Sequence, residues 1–181
     1  MNDDKEQKLS VPVNENDHVR GREDSPVTVV KYGDYECPDC HRAHRIWLEL
    51  VRPLEKHVRY VYRHFPLLNI HPRALPSAEA SEAAASQGKF WNMHELLFIN
   101  PNKLEDKHLR AHAKDIGLDM KQFERELEEG IHREKIRRAY QQGLINGITG
   151  TPTFYINGIR YNDSDMKKMV DYVKTLIGQK A

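Results

Sequence analysis

Only two of the 181 residues are cysteine, so no framework of several disulfides braces this chain. Long apolar runs are missing as well. None approaches the ~18 residues that would suggest a transmembrane helix, and no membrane insertion is expected. Nor is there an excess of one charge: 28 basic against 27 acidic residues leave +1, with a pI near 7.8. That removes the electrostatic case for nucleic acid or an anionic membrane surface as a partner. The start, Met1-Asn2-Asp3-Asp4-Lys5, is charged and lacks the apolar segment of a secretory signal. A cytoplasmic protein is therefore expected, the alternative being an exported one whose signal peptide has been removed. At 39% hydrophobic and 30% charged residues, the chain has the composition of a globular protein, and its length suits one domain or one domain with a sizeable insertion.

Both cysteines fall in one tetrapeptide, Cys37-Pro38-Asp39-Cys40. Closing so short a loop gains little chain entropy, so a structural staple explains the pair poorly. Redox or metal chemistry explains it better. The local pattern places the pair at a strand-to-helix turn. Val27-Thr28-Val29-Val30, continuing to Tyr32, is a β-branched buried strand that Gly33 and Asp34 interrupt. Pro38 suits the first helical position, where its missing N–H has no partner to lose. Cys40, Ala43, Trp47, Leu50, Val51 and Leu54 then share one helical face, with Pro53 expected to kink or restart the helix. Residues 58 to 64 form a second strand.

From about Arg73 to Asn146 the pattern is helical. An Ala-rich segment ends at Gly88, and an apolar helix carrying Phe90, Trp91, Met93 and Leu97 stops before Pro101. Asp119 starts a further helix, with Gln122 completing a capping box and Leu118 stapling onto Phe123. The next runs from about His132 to Ile145, with Ile136, Ala139, Tyr140 and Leu144 on one side. Strands return at Thr153–Ile156 and Ile159–Tyr161 about an Asn157-Gly158 turn, and a last helix is capped by Asp163 or Ser164. The expected organisation is a flexible segment 1–17, a first half of the domain 18–72, an inserted helical domain 73–147 and a second half 148–181.

A Cys-x-x-Cys at such a turn is a redox motif of the thioredoxin kind. Cys37, at the helix start, meets unpaired N–H groups and the positive dipole end, which favour its thiolate. Cys40 lies one turn on, near enough to bridge. The first thiol attacks a substrate disulfide and the second resolves the mixed disulfide.

The surrounding residues extend this to a family. Gly33-Asp34-Tyr35-Glu36-Cys37-Pro38-Asp39-Cys40, Arg63-His64-Phe65-Pro66-Leu67, Gly88-Lys89-Phe90-Trp91-Asn92-Met93-His94 and Gly150-Thr151-Pro152-Thr153-Phe154 occur in that order. Together they resemble the DsbA-like thiol–disulfide oxidoreductases of the thioredoxin superfamily, over roughly Asp17 to Ile177. The resemblance implies an α/β thioredoxin fold, a mixed central sheet flanked by helices, interrupted by a helical insertion. It implies Cys37 and Cys40 as the catalytic pair, with Pro152 cis and facing them. The Thr151 backbone would then pair with an extended substrate segment. Partners would be protein or peptide thiols and disulfides, plus an unidentified recycling partner. No metal or organic cofactor is expected, only the redox-active disulfide.

Two departures stand out. Many relatives carry an acidic residue six positions before the first cysteine; here it is Lys31, with Asp34 or Glu36 as substitutes for the missing acid. The dipeptide Pro38-Asp39 also differs from Pro-His, and the Asp39 carboxylate is expected to raise the Cys37 pKa and lower the potential.

Other readings of the same residues remain. Cys37-Pro38-Asp39-Cys40-His41 matches a c-type haem attachment pattern, and both cysteines with His41 and His44 could hold zinc. A non-redox glutathione-dependent isomerase, or a binding module on the same fold, is a third class. His64 and His71 are expected as surface or loop histidines, and the Phe90, Trp91, Met93 and Leu97 cluster as ordinary core.

Overall fold

In the computed structural model, residues 7–180 are described. Their order is β1 (His18–Arg20), β2 (Val27–Gly33), α1 (Pro38–Ile46), β3 (Val58–His64), α2 (Ala74–Ala85), α3 (Phe90–Ile99), α4 (Asp106–Asp115), α5 (Met120–Glu128), α6 (Arg133–Ile145), β4 (Thr153–Ile156), β5 (Ile159–Tyr161) and α7 (Met166–Lys180). Among the described residues the strands form one mixed sheet, ordered β1-β3-β2-β4-β5. The central strand, β2, runs parallel to β3 and antiparallel to β4. Apart from Thr28 and Lys31 its residues are apolar or aromatic on both faces, because both are covered. Val27 and Val29 pack under α1 and α7; Val30 and Tyr32 face Phe65, Ile148 and Tyr155. The helices α2 to α6 stand between β3 and β4, where the helical insertion is expected. The apolar faces of α2 to α5 gather on Met93, Leu97, Phe98, Leu109 and Phe123, so Phe90, Met93 and Leu97 are core and Trp91 packs against it.

Pro53 acts earlier than a simple kink. The α-helical pattern ends at Ile46, and Trp47–Val51 continue as a π turn with Arg52 N–H donating to Trp47 O. Pro53 has no N–H to extend the ladder, and a 3-10 turn, Arg52–Leu54, closes the element. Trp47 and Val51 still point inward; the side chain of Leu50 lies outside the described ones.

Several boundaries differ from expectation. Strand β1 and helix α4 had no clear signal, being short in one case and strongly polar in the other. The capping box at Asp119 is half formed. Its carboxylate accepts the Gln122 N–H at 3.1 Å, but its own N–H is taken by Gln87 Oε1 at 2.7 Å. Gln122 turns instead to Glu126, 2.8 Å away. At α7 the capping side chain is Asp165, which accepts from the Lys167 and Lys168 N–H groups, while Asp163 bonds the Asp165 N–H and the Lys168 ammonium.

The segment before β1 is not loose where it is described. Arg63 is buried on β3 and carries five N–H donors that need acceptors. Asp17 takes two of them through both carboxylate oxygens at 2.7 Å, Val11 O and Pro12 O take one each, and the Tyr32 hydroxyl takes the fifth. Residues further back bond the sheet edge, Leu9 N–H to Gly158 O at 2.8 Å. Residues 1–6, also expected to be flexible, lie outside the described residues.

Helix α6 corrects a periodicity argument. Ile136 is buried, but Leu144 is exposed; the inward position is Gly143. A Cβ on Gly143 would stand 2.5 Å from Phe65 Cδ2. Phe65 cannot yield easily, being buried and stacked on Tyr140 with ring centroids 4.5 Å apart. Gly143→Ala should therefore destabilise the fold by about 1–3 kcal/mol through overpacking, although alanine is the better helix former by about 1 kcal/mol. Urea unfolding of the two proteins checks this, and a more stable variant would show that Phe65 moves freely.

Candidate active site

Strand β2 delivers the cysteine segment to the end of the sheet, and β4 starts beside it. Tyr32 is paired with Thr153 and Gly33 with His64, so the loops leaving these strands converge. Cys37 is the N-cap of α1, with Pro38 at the first helical position as expected. The Thr151–Pro152 peptide bond is cis. The Cys37 thiol donates to Thr151 O across 3.3 Å, joining residues 114 apart in sequence. Both cysteines are free thiols, and both are buried.

The two thiols are strongly unequal. Cys37 is pulled down to about 6. The largest cause is hydrogen bonding from the Cys40 thiol, and it outweighs the burial that opposes it. The Thr151 hydroxyl and the Cys40 backbone N–H add to the lowering, and the Asp34 carboxylate works against it. Burial pushes Cys40 well above the usual thiol range, and its bond to Cys37 raises it further. The charge of Lys31 opposes both effects.

Lys31 is buried under the pair, on β2. Its Nζ donates to Cys40 O at 3.4 Å and lies 4.2 Å from the Phe98 ring centre. Burial lowers its pKa, and the neighbouring cysteines, Cys40 first, raise it in turn. Neither candidate acid takes its place. Asp34 is committed to the loop geometry, accepting the Glu36 N–H at 2.7 Å, the Leu67 N–H at 2.9 Å and His71 Nδ1 at 2.8 Å. Glu36 accepts the Arg73 N–H at 2.6 Å. No sequence signal joins Asp34 to His71, 37 positions away.

Asp39 is exposed and pairs with the Arg42 guanidinium one turn on. Its charge is thus offset and solvated, and the like-charge effect expected of it on Cys37 comes from buried Asp34. The histidines are also redistributed. His64 is buried on β3, while His71 is half-buried against Asp34. His41 bonds Phe98 O through Nδ1 at 2.7 Å. His44 stacks on Phe98 and is pushed down to about 3, chiefly by burial, which keeps it neutral. Among the described residues, Cys37, Cys40, His41 and His44 do not bring three ligand atoms together. The zinc arrangement weighed for them is therefore not assembled.

A family model described as thioredoxin matches residues 13–175. The chain belongs to the thioredoxin family. Solved structures similar to it include DsbA proteins. A thioredoxin-like oxidoreductase from Silicibacter pomeroyi superposes with a TM-score of 0.77 at 29% identity, covering 93% of this chain and 95% of that one. For alpha-DsbA1 of Wolbachia pipientis the TM-score is 0.78, at 22% identity and 96% coverage of both chains. For BdbD of Bacillus subtilis it is 0.75, at 22% identity, covering 92% of this chain and 96% of that one. At that identity these two similarities establish the fold alone. Among curated proteins, the Na(+)/H(+) antiporter NhaA 1 of Salinispora arenicola is 41% identical over 157 residues, 86% of this chain and 24% of its own length. The antiporter NhaA of Herminiimonas arsenicoxydans is 38% identical over 157 residues, 86% of this chain and 25% of its own. The chain spans about a quarter of the curated relatives it matches. Among the described residues of this thioredoxin-family chain, no helix is long and apolar enough to cross a membrane.

The inequality of the two thiols has a pH signature. With Cys37 at about 6, its thiolate fraction grows tenfold per pH unit below that value and levels off above it. Iodoacetamide alkylation of Cys37 should follow the same curve, while Cys40 stays unmodified until the protein is unfolded. Mass spectrometry of both sites across pH 4 to 9 measures this, and parallel curves for the two thiols would contradict the assignment.

Proposed function

We propose that this chain is a thiol–disulfide oxidoreductase acting on extended protein or peptide segments, with Cys37 as nucleophile and Cys40 as resolving thiol. The observation that carries this reading is the Cys37 thiol on the Thr151 carbonyl, at a helix start that favours its thiolate. A cavity of about 540 Å³ opens alongside, lined by Asp39, Arg42, Thr151, Pro152 and Tyr161 among others, and offers space for such a segment. The reading needs no metal or organic cofactor.

In the reducing direction the Cys37 thiolate attacks one sulfur of a substrate disulfide. A Cys37–substrate disulfide forms, and the other substrate sulfur leaves as thiolate. Cys40 then gives up its proton and attacks the Cys37 sulfur. The Cys37–Cys40 disulfide forms, the second substrate thiolate leaves, and two electrons have passed to the substrate. Reversal oxidises a dithiol. Cys37→Ser should abolish insulin reduction, whereas Cys40→Ser should accumulate mixed disulfides visible on non-reducing gels. Unimpaired turnover by Cys37→Ser would end the proposal and favour a non-redox role for the fold.

Lys31 biases the direction. It is a buried amine with no carboxylate partner among the described residues, and in its protonated form a cysteine thiolate is the anion that compensates it. Forming the disulfide removes that anion, so Lys31 favours the reduced state and makes the pair more oxidising. Lys31→Met should raise the Cys37 pKa and lower the potential by roughly 30 mV, the two-electron equivalent of a tenfold change. A glutathione titration of both proteins reads the shift; an unchanged or higher potential would show that Lys31 only fills space.

A further inference from the structure

Away from the cysteines, side chains from three separate elements aim ligand-type atoms at one point. His18 comes from edge strand β1, His64 from the end of β3 and Glu82 from α2. His18 Nε2 lies 2.7 Å and His64 Nε2 2.9 Å from the same oxygen, Glu82 Oε1. One ligand atom from each lies within 4.8 Å of the others. Packing holds the group in place. Glu82 and His64 are buried, and the His18 ring stacks on Phe90 with centroids 3.4 Å apart.

A fourth group shares the carboxylate. Lys135, from α6, places Nζ 2.7 Å from Glu82 Oε2 and 3.1 Å from His18 Nε2. An ammonium has only donors, so its bond is to the Glu82 carboxylate, and it competes for that carboxylate with His18. With Nε2 protonated, His18 donates to Glu82 Oε1 while Lys135 donates to Glu82 Oε2, so the ammonium shares the carboxylate with both imidazoles.

A metal ion among the three atoms would take a lone pair from each of them. The geometry points to a divalent-metal site made by His18, His64 and Glu82, with Lys135 as the resident ammonium that a metal ion displaces. Two imidazoles and one carboxylate suit zinc-class transition ions; calcium and magnesium prefer oxygen ligands throughout. The side chain of Lys135 is 41% exposed and borders a cavity of about 480 Å³, which gives it room to withdraw. The same cavity gives the ion a path in and a fourth, exchangeable position. Because the ligands come from both the sheet edge and the helical insertion, a bound ion fastens one to the other. It takes no part in thiol exchange.

The test uses the full chain with Cys37→Ser and Cys40→Ser, so that no thiol competes for metal. Titration with cobalt(II) chloride should give saturable one-to-one binding, with visible d–d bands and no thiolate charge-transfer band. Zinc chloride should then displace the cobalt. His18→Phe keeps the stack on Phe90 but removes a ligand, and should abolish the bands. Lys135→Met removes the competing ammonium and should tighten zinc binding several-fold, an effect that a merely structural lysine would not produce. Absence of saturable binding overturns the proposal, as does unchanged binding in His18→Phe or weaker binding in Lys135→Met.

Discussion

The contact between the Cys37 thiol and the Thr151 carbonyl depends on the position of β2 at the centre of the sheet. Parallel pairing with β3 and antiparallel pairing with β4 bring the ends of three strands to one edge. A one-residue slip in either ladder would turn the buried side chains of β2 to the opposite face. It would also carry Cys37 away from Thr151. The register is held because both faces of β2 are occupied, by Val27 and Val29 on one side and Val30 and Tyr32 on the other. The helices between β3 and β4 can thus be a long excursion without disturbing the site, since the ladder on either side of β2 fixes where the chain must return.

The loop after β2 is held by a second constraint, the Asp34 carboxylate. Its three contacts reach the cysteine loop, the segment after β3 and His71. This is a buried anion whose lone pairs are met by donors, the condition under which burial of a charge is tolerable. Its cost falls on Cys37, whose thiolate it disfavours. Helix-start N–H groups, the Cys40 thiol and the Thr151 hydroxyl prevail over it, and the net effect leaves Cys37 low.

What could be read from residues alone follows the range of the interactions. Cys37-Pro38-Asp39-Cys40 at a strand-to-helix turn, the Asn157-Gly158 hairpin and the amphipathic face of α7 are local, and each matches the structure closely. The family resemblance supplied the one long-range element, the Thr151–Pro152 loop beside Cys37. Long-range polar contacts left no trace in the sequence. Arg63 with Asp17, His71 with Asp34, and Glu82 with both His18 and His64 join residues between 18 and 64 positions apart. This is why residues 7–17 were expected to be loose and His64 was expected at the surface. The misjudged cap of α7 is different in kind. Asp163, Ser164 and Asp165 are all competent N-caps, and only the backbone path selects Asp165.

Asp34 and Lys31 bear on the site with opposite sign. In a chain where an acid occupies the position of Lys31, charge below Cys40 would repel both thiolates and assist proton removal only by acting as a base. Here the group beneath is an amine enclosed by Phe98, Tyr62 and the Cys40 carbonyl, whose protonated form attracts both thiolates instead. Its burial costs less while an anion is present and more once the two sulfurs are joined. The ring faces soften that cost without removing it, because a cation–π contact is worth only about 0.5–2 kcal/mol. Under the proposed function the residual penalty falls on the disulfide form, so a protonated lysine in place of the acid shifts electrostatic preference from the oxidised state to the reduced one.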